Sequence, residues 1–184
     1  MPVYKCLLVG DANVGKSSLM RRILLGEFDP SYCATVGVDL SAVALNIDPV
    51  TPVILTVIDL GGQEDFSALR TQYYRGAHYA LLVFDLGSRT TLEHLSDWYR
   101  GMNSTLTVTE KRQIPGMVVG NKADGERPRQ VDRSEGEQFA SSIGWPYIET
   151  SAKTGANVDR LFMDTAQTLY RLYPPIPRSQ APEQ

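Results

Sequence analysis

Apolar positions along the chain fall into short runs that alternate with stretches of helical spacing. Tyr4–Val9 reads as a strand leading into a Gly-rich loop. Past the loop, Leu19, Met20, Ile23 and Leu24 share one face of a helix. Gly26 to Val36 is polar and aromatic, broken by Asp29-Pro30, and reads as a loop. Val38–Ile47 and Val53–Ile58 read as strands; Asp48-Pro49 and Pro52 between them predict a hairpin. Gly61-Gly62 opens another loop, and a short helix is expected over Ser67–Tyr74. Tyr79–Asp85 is a nearly continuous apolar run, as in a strand buried on both faces. Thr91–Met102 reads as a helix, Asn103–Gln113 as a polar connection and Ile114–Gly120 as a strand. Ser134–Ile143 is a helix closed by Gly144, and Pro146–Glu149 is a short strand. Val158, Leu161, Phe162, Thr165, Leu169 and Leu172 mark a last helix over Val158–Leu172, stopped by Pro174-Pro175. This alternation predicts an α/β domain of three layers around a mostly parallel sheet. One domain over residues 1–173 with a flexible, Pro-rich tail over 174–184 is the expected organisation. In such sheets ligands sit beyond the carboxyl ends of the strands.

Composition narrows the classes. Of 184 residues, 42% are hydrophobic and 21% charged, which excludes disorder over the whole length. Eighteen Lys and Arg against 21 Asp and Glu leave a net charge of −3, so no general basic surface for nucleic acid is expected. Cys6 and Cys33 suggest neither a disulfide scaffold nor a zinc cluster. The start shows no signal-peptide pattern, Tyr79–Phe84 is far too short to cross a bilayer, and the last residues contain no prenylation cysteine. A cytoplasmic location without a direct lipid anchor is the expectation.

Three strand ends carry candidate chemistry. Gly10-Asp11-Ala12-Asn13-Val14-Gly15-Lys16-Ser17 satisfies G-x-x-x-x-G-K-[ST] between a strand and a helix, with Ser18 just beyond. Successive backbone N–H groups there can wrap a phosphate, and the helix N-terminus favours negative charge. Lys16 is placed to neutralise β- and γ-phosphates and Ser17 to put a hydroxyl on Mg²⁺. Val53–Ile58 ends in Asp59, a second metal-holding position beside the first motif. Gly61 and Gly62 permit close approach to a γ-phosphate, and Gln63 can orient an attacking water without acting as a strong base.

The third strand end reads Asn121-Lys122-Ala123-Asp124. A carboxylate at Asp124 accepts from the N1–H and N2 amine of guanine, whereas adenine would leave it unpaired. Asn121 can reach the N7 side and tie loops together, and the Lys122 stem can cover the ring. Ser151-Ala152-Lys153 follows the last strand, where its backbone can meet guanine O6. Phe28 either closes the other side of the base or is a core aromatic; Tyr32 either covers the phosphates or faces solvent. His78 and His94 fall in no catalytic or metal-like cluster and read as structural.

In this order the motifs resemble those of the Ras-like small GTPases over about residues 3–173. Thr35–Leu40 is close to the Rab pattern T-I-G-V-D-F, Asp59–Phe66 follows D-T-A-G-Q-E-R-F in outline, and Tyr73–Ala77 is Y-Y-R-G-A unchanged. Leu82–Leu86 and Trp98 also fit. The resemblance implies six strands with about five helices, GTP and GDP as ligands, Mg²⁺, and two switch segments near 29–38 and 60–74. By the same resemblance Thr35 coordinates Mg²⁺ and bonds the γ-phosphate, and the Gly62 N–H meets that phosphate. Effectors, an exchange factor and a GTPase-activating protein would then dock on the switches of a monomer, with recruitment to membranes through partners and a role in vesicle trafficking.

Departures from the family pattern matter. Ala12 and Asn13 stand where the family often has Ser-Gly or Gly-Gly, and Leu60 replaces the usual Thr after the metal-holding aspartate. No Arg or Lys lies between Gly26 and Asp39, so no internal arginine finger is apparent and slow hydrolysis is expected without an activating protein. Two alternatives remain open: a GTP-holding assembly module with little hydrolysis, and a metabolic P-loop kinase or ATPase, against which N-K-A-D and S-A-K argue.

Overall fold

The computed structural model describes residues 1–31, 37–61 and 67–175, for 67–70 the backbone alone. Strands β1 (Val3–Val9), β2 (Val38–Asp48), β3 (Thr51–Leu60), β4 (Tyr79–Asp85), β5 (Gly116–Asn121) and β6 (Tyr147–Glu149) alternate with helices α1 (Lys16–Leu25), α2 (Ser67–Tyr74), α3 (Arg89–Glu93), α4 (Leu95–Glu110), α5 (Arg133–Ser142) and α6 (Val158–Leu172). They build one six-stranded sheet in the order β2-β3-β1-β4-β5-β6. Among the described residues only β2 and β3 pair antiparallel, and the other pairings are parallel.

Successive residues of β1 point to opposite faces, and both faces are covered. Cys6 and Leu8 enter one core with Leu19, Met20, Phe162 and Leu169 from α1 and α6. Leu7 and Val9 enter the other with Leu95, Met102, Leu106 and Ala140 from α4 and α5. All seven residues of β4 are buried, which is why its sequence shows no polar alternation.

The expected elements appear with two adjustments. The predicted polar connection Asn103–Gln113 is helical as far as Glu110, because Leu106 continues the inner face begun by Leu95 and Met102. Thr105 and Thr109 hide that continuation: both are poor helix formers, and each hydroxyl donates to the carbonyl four residues earlier, at 3.0 and 2.8 Å. Lys111, at φ 53°, ends the helix. The second adjustment is at the other end, where the single expected helix starting at Thr91 divides at His94 into α3 and α4. With those two counted as one helix, the layers are the six strands and five helices expected. No helix among the described residues is long and apolar enough to cross a membrane.

Candidate functional site

Parallel strands β1, β3, β4 and β5 end on the same edge of the sheet, and the motif residues meet there. Gly10 leaves β1 at φ 144°, and a Cβ on it would stand 2.1 Å from the Val83 carbonyl oxygen of β4. Only a glycine lets the loop turn so close to its neighbour strand. Asn13 (φ 64°) and Gly15 (φ 98°) are also left-handed, a backbone sequence of the kind that makes anion-binding concavities. Helix α1 starts at Lys16, whose side chain is 5% exposed. Its ammonium donates to the carbonyls of Gly10 (2.9 Å) and Asp11 (2.8 Å), so the loop holds the cation at its own centre. The Ser17 hydroxyl donates to the Asp59 carboxylate across from β3. Asp59 is 2% exposed and registers with Leu8 of β1. A hydroxyl and a carboxylate converging beside a phosphate loop form an oxygen donor set that suits Mg²⁺, which completes its shell with phosphate oxygens and water.

At the other end, buried Asn121 closes β5 and binds three loops. Its amide donates to the Val14 carbonyl (2.9 Å), while its oxygen accepts from the Thr150 hydroxyl (3.1 Å) and the Ala152 N–H (3.3 Å). A Cβ on Gly15 would lie 2.3 Å from that amide nitrogen, so the phosphate loop and β5 are fitted to each other. Lys122, left-handed at φ 68°, extends over the loop and donates to Asn13 O (2.6 Å). It also pairs with Asp85 Oδ2 at 2.8 Å, an oxygen that Arg127 meets as well, at 2.5 Å. The Asp124 carboxylate accepts from the Ser151 hydroxyl at 2.7 Å. Burial opposes its ionisation, but the bonds from Ser151 and the Glu126 N–H outweigh that and hold its carboxyl below the usual range.

A cleft of about 360 Å³ joins the two ends. That is within the range of small-molecule sites. Ala12, Asn13, Gly15, Lys16, Ser17 and Ser18 line it from the loop side. Asn121, Lys122, Asp124, Ala152 and Lys153 line it from the other, and Phe28 closes a flank while packing against the α1/α6 core. Phe28 thus packs on the core, as one of its two readings has it, and also lines the cleft. Val14 and Ser151 are fully buried and stand behind the lining. Asp11 contributes its carbonyl to Lys16, but its side chain turns away toward α4. Tyr32, Thr35, Gly62 and Gln63 lie outside the described residues, as does Cys33.

Several site-shaping residues escape sequence reasoning. Arg22 on α1 donates to the Ala152 carbonyl (2.7 Å), to Lys153 and to the Gly26 carbonyl (2.6 Å), fastening the 151–153 loop to the segment that carries Phe28. Asp85 is read from sequence as the end of β4 and as part of the family-like run Leu82–Leu86, with no role at the site. His94, read as structural, and Trp98 both bond Asp11. Most of their partners are remote in sequence, so local spacing does not announce these contacts. His78 matches its structural reading: its Nδ1 accepts the Lys5 N–H at 3.0 Å, and its ring meets Tyr4 and Tyr173 edge-on.

Comparison with protein families agrees with this arrangement. The family model described as the Ras family matches residues 5–171, from within β1 to the last turn of α6. The fold is that of the P-loop GTPases, and the chain belongs to the Ras family.

Proposed function

We propose that this chain is a Rab-like switch that binds GTP and GDP in the cleft and hydrolyses GTP slowly. The observation that carries the reading is the pairing within one cleft of a lysine-centred phosphate loop with a carboxylate held ionised by Ser151. A phosphate tail and a base that offers two adjacent donors satisfy both ends together. Lys16, held by its loop carbonyls, reaches the β- and γ-phosphate oxygens, and the N–H groups of Asn13 to Ser18 surround the β-phosphate. Asp124 selects guanine, Lys122 and Phe28 cover its two faces, and the 151–153 loop meets O6. Bound Mg²⁺ supplies electrostatic stabilisation of the phosphates. Ser17 and Asp59 hold it, together with Thr35. Gln63 orients the water, and Thr35 and Gly62 report the γ-phosphate to partners.

The Rab-like motifs support a role in vesicle trafficking through effectors, an exchange factor and an activating protein. The working unit is residues 1–173, in the cytoplasm, with membranes reached through partners. Mass spectrometry of the nucleotide that co-purifies, followed by a GTP time course, tests the reading. Guanine nucleotide and slow conversion to GDP are expected. Adenine nucleotide, or equal affinity for both purines, would overturn it. Ala12, whose methyl lines the cleft, favours the second reading, a GTP-holding assembly module; GTP intact after prolonged incubation with an added activating protein would select it.

A further inference from the structure

The side chain of Asp11 belongs to the phosphate loop by sequence but to α4 by contact. The Trp98 indole N–H donates to its Oδ1 at 2.7 Å, and His94 Nδ1 lies 2.7 Å from its Oδ2. His94 and Trp98 are one helical turn apart, joined by the bond from the Trp98 N–H to the His94 carbonyl at 3.2 Å. They therefore present two donors on one face, at a spacing that grips both oxygens of a single carboxylate. The Asp11 carbonyl accepts from the Lys16 ammonium, so the residue held by α4 also holds the phosphate-binding lysine. Any displacement of α4 relative to β1 is transmitted through Asp11 to that lysine.

We infer that His94 and Trp98 are positioning residues for the phosphate loop, and that the charge on His94 sets how firmly the loop retains an anionic nucleotide. This inference rests on the nucleotide-binding reading above and deepens it by adding a regulator of the same site. With His94 protonated, the Asp11 carboxylate is neutralised beside the phosphates. With His94 neutral, the Nδ1–H bond to Asp11 survives, but an uncompensated negative charge faces the ligand. Among the described residues, the charged groups facing His94 are Asp11 from the loop, Glu93 from α3 and Asp97 from α4, all acidic. The hydrogen bond His94 makes to the Asp11 carboxylate, then the charge of that carboxylate, raise the His94 pKa above the usual histidine value. Nucleotide release is therefore slowest below that pKa and accelerates as pH rises through it.

The test uses the full chain loaded with a fluorescent GDP analogue and chased with excess GDP and Mg²⁺ between about pH 5.5 and 8.5, the interval that brackets histidine titration. Protonation of the nucleotide itself is common to all variants, so the comparison between proteins is the readout. Wild-type release is expected to accelerate with pH by about threefold to tenfold more than that of His94→Gln, the change a single nearby charge produces. Trp98→Phe keeps an aromatic ring, though a smaller one, and loses the donor; it should release about threefold faster at every pH while retaining the wild-type slope. The imidazole titrations of the chain's two histidines, followed by NMR, give a readout independent of nucleotide, and Asp11→Asn should lower the titration point of His94 alone. Identical pH profiles for wild type and His94→Gln, or a His94 titration unmoved by Asp11→Asn, would overturn the clamp while leaving nucleotide binding intact. Failure of the wild type to bind guanine nucleotide at any pH would remove the underlying reading, and this proposal with it.

Discussion

The geometry is tightest at Gly10, where the atom in the way is a backbone oxygen. A Cβ there would stand 2.1 Å from Val83 O, and φ is 144°. Neither side can yield without moving β1 or β4, so Gly10→Ala is expected to cost about 3 kcal/mol or more. A fall in the urea midpoint reads this, and a wild-type midpoint would mean that the loop does not approach β4 as described. Asp124 answers to a different measurement. Asp124→Asn exchanges an acceptor for a donor where the base edge is read, and its preference should pass from guanosine to xanthosine nucleotides by about tenfold or more. Competition for a fluorescent nucleotide checks it; an unchanged preference would remove Asp124 from base selection. Residues such as Lys16, Asn121 and Asp124 were legible because a contiguous motif places them together. Asp11 was legible only in its backbone role. The partners of its side chain lie 83 and 87 residues away, and no local spacing announces a contact of that range. Thr35 and Gln63, expected in the two switch segments, were equally plain in the sequence and lie outside the described residues.

Helix α4 shows how an element can be half hidden. Its first turns carry Leu95, Trp98 and Met102, but beyond Met102 the chain reads Asn-Ser-Thr-Leu-Thr-Val-Thr-Glu, in which helix propensity is poor. Tertiary contact decides the outcome: Leu106 is fully buried among Met102, Ile114 and the residues of β4 and β5 that face this layer. Leu106→Ala is therefore expected to destabilise the protein by about 3 kcal/mol, the usual cost of a cavity left by leucine. A substitution in a solvated loop would cost almost nothing, so the same unfolding experiment separates the two descriptions of residues 103–110. The start of α5 differs, because there the sequence does carry a local signal. Asp132 and Glu135 form a reciprocal capping box, the Asp132 N–H donating to Glu135 at 2.8 Å. The spacing D-x-x-E before Phe139 and Ala140 is visible in the sequence, although the helix starts one residue earlier than apolar spacing alone suggests.

At the scale of the molecule, alternating strands and helices predict a parallel sheet, and the turn at Asp48 predicts its one antiparallel pair. The order β2-β3-β1-β4-β5-β6 is not written in any local run, because it depends on which faces the helices cover. That order brings carboxylates and arginines from distant segments together, and the pH dependence of stability follows from those pairings. Glu149, on β6, is pushed up by burial but held down more strongly by Arg129 and Tyr147. Glu135 is held down by Arg89 and the Asp132 N–H, and Asp124 by Ser151 despite its burial. A carboxyl whose folded pKa is depressed contributes stability above its unfolded value and loses it as pH falls through the folded one. The histidines oppose each other near neutrality. His94 is raised by Asp11 and contributes below its unfolded value, fading as pH rises. His78 is lowered by burial and by Arg112, so its contribution fades as pH falls. Urea midpoints should therefore vary little from about pH 6 to 8 and fall steadily below about pH 5, where the unfolded chain takes up protons that the folded one refuses. In Arg129→Met the acid limb should be shallower, because Glu149 loses the guanidinium that keeps it ionised. An acid limb as steep as that of the wild type would show that the β5–β6 edge does not contribute to the acid response.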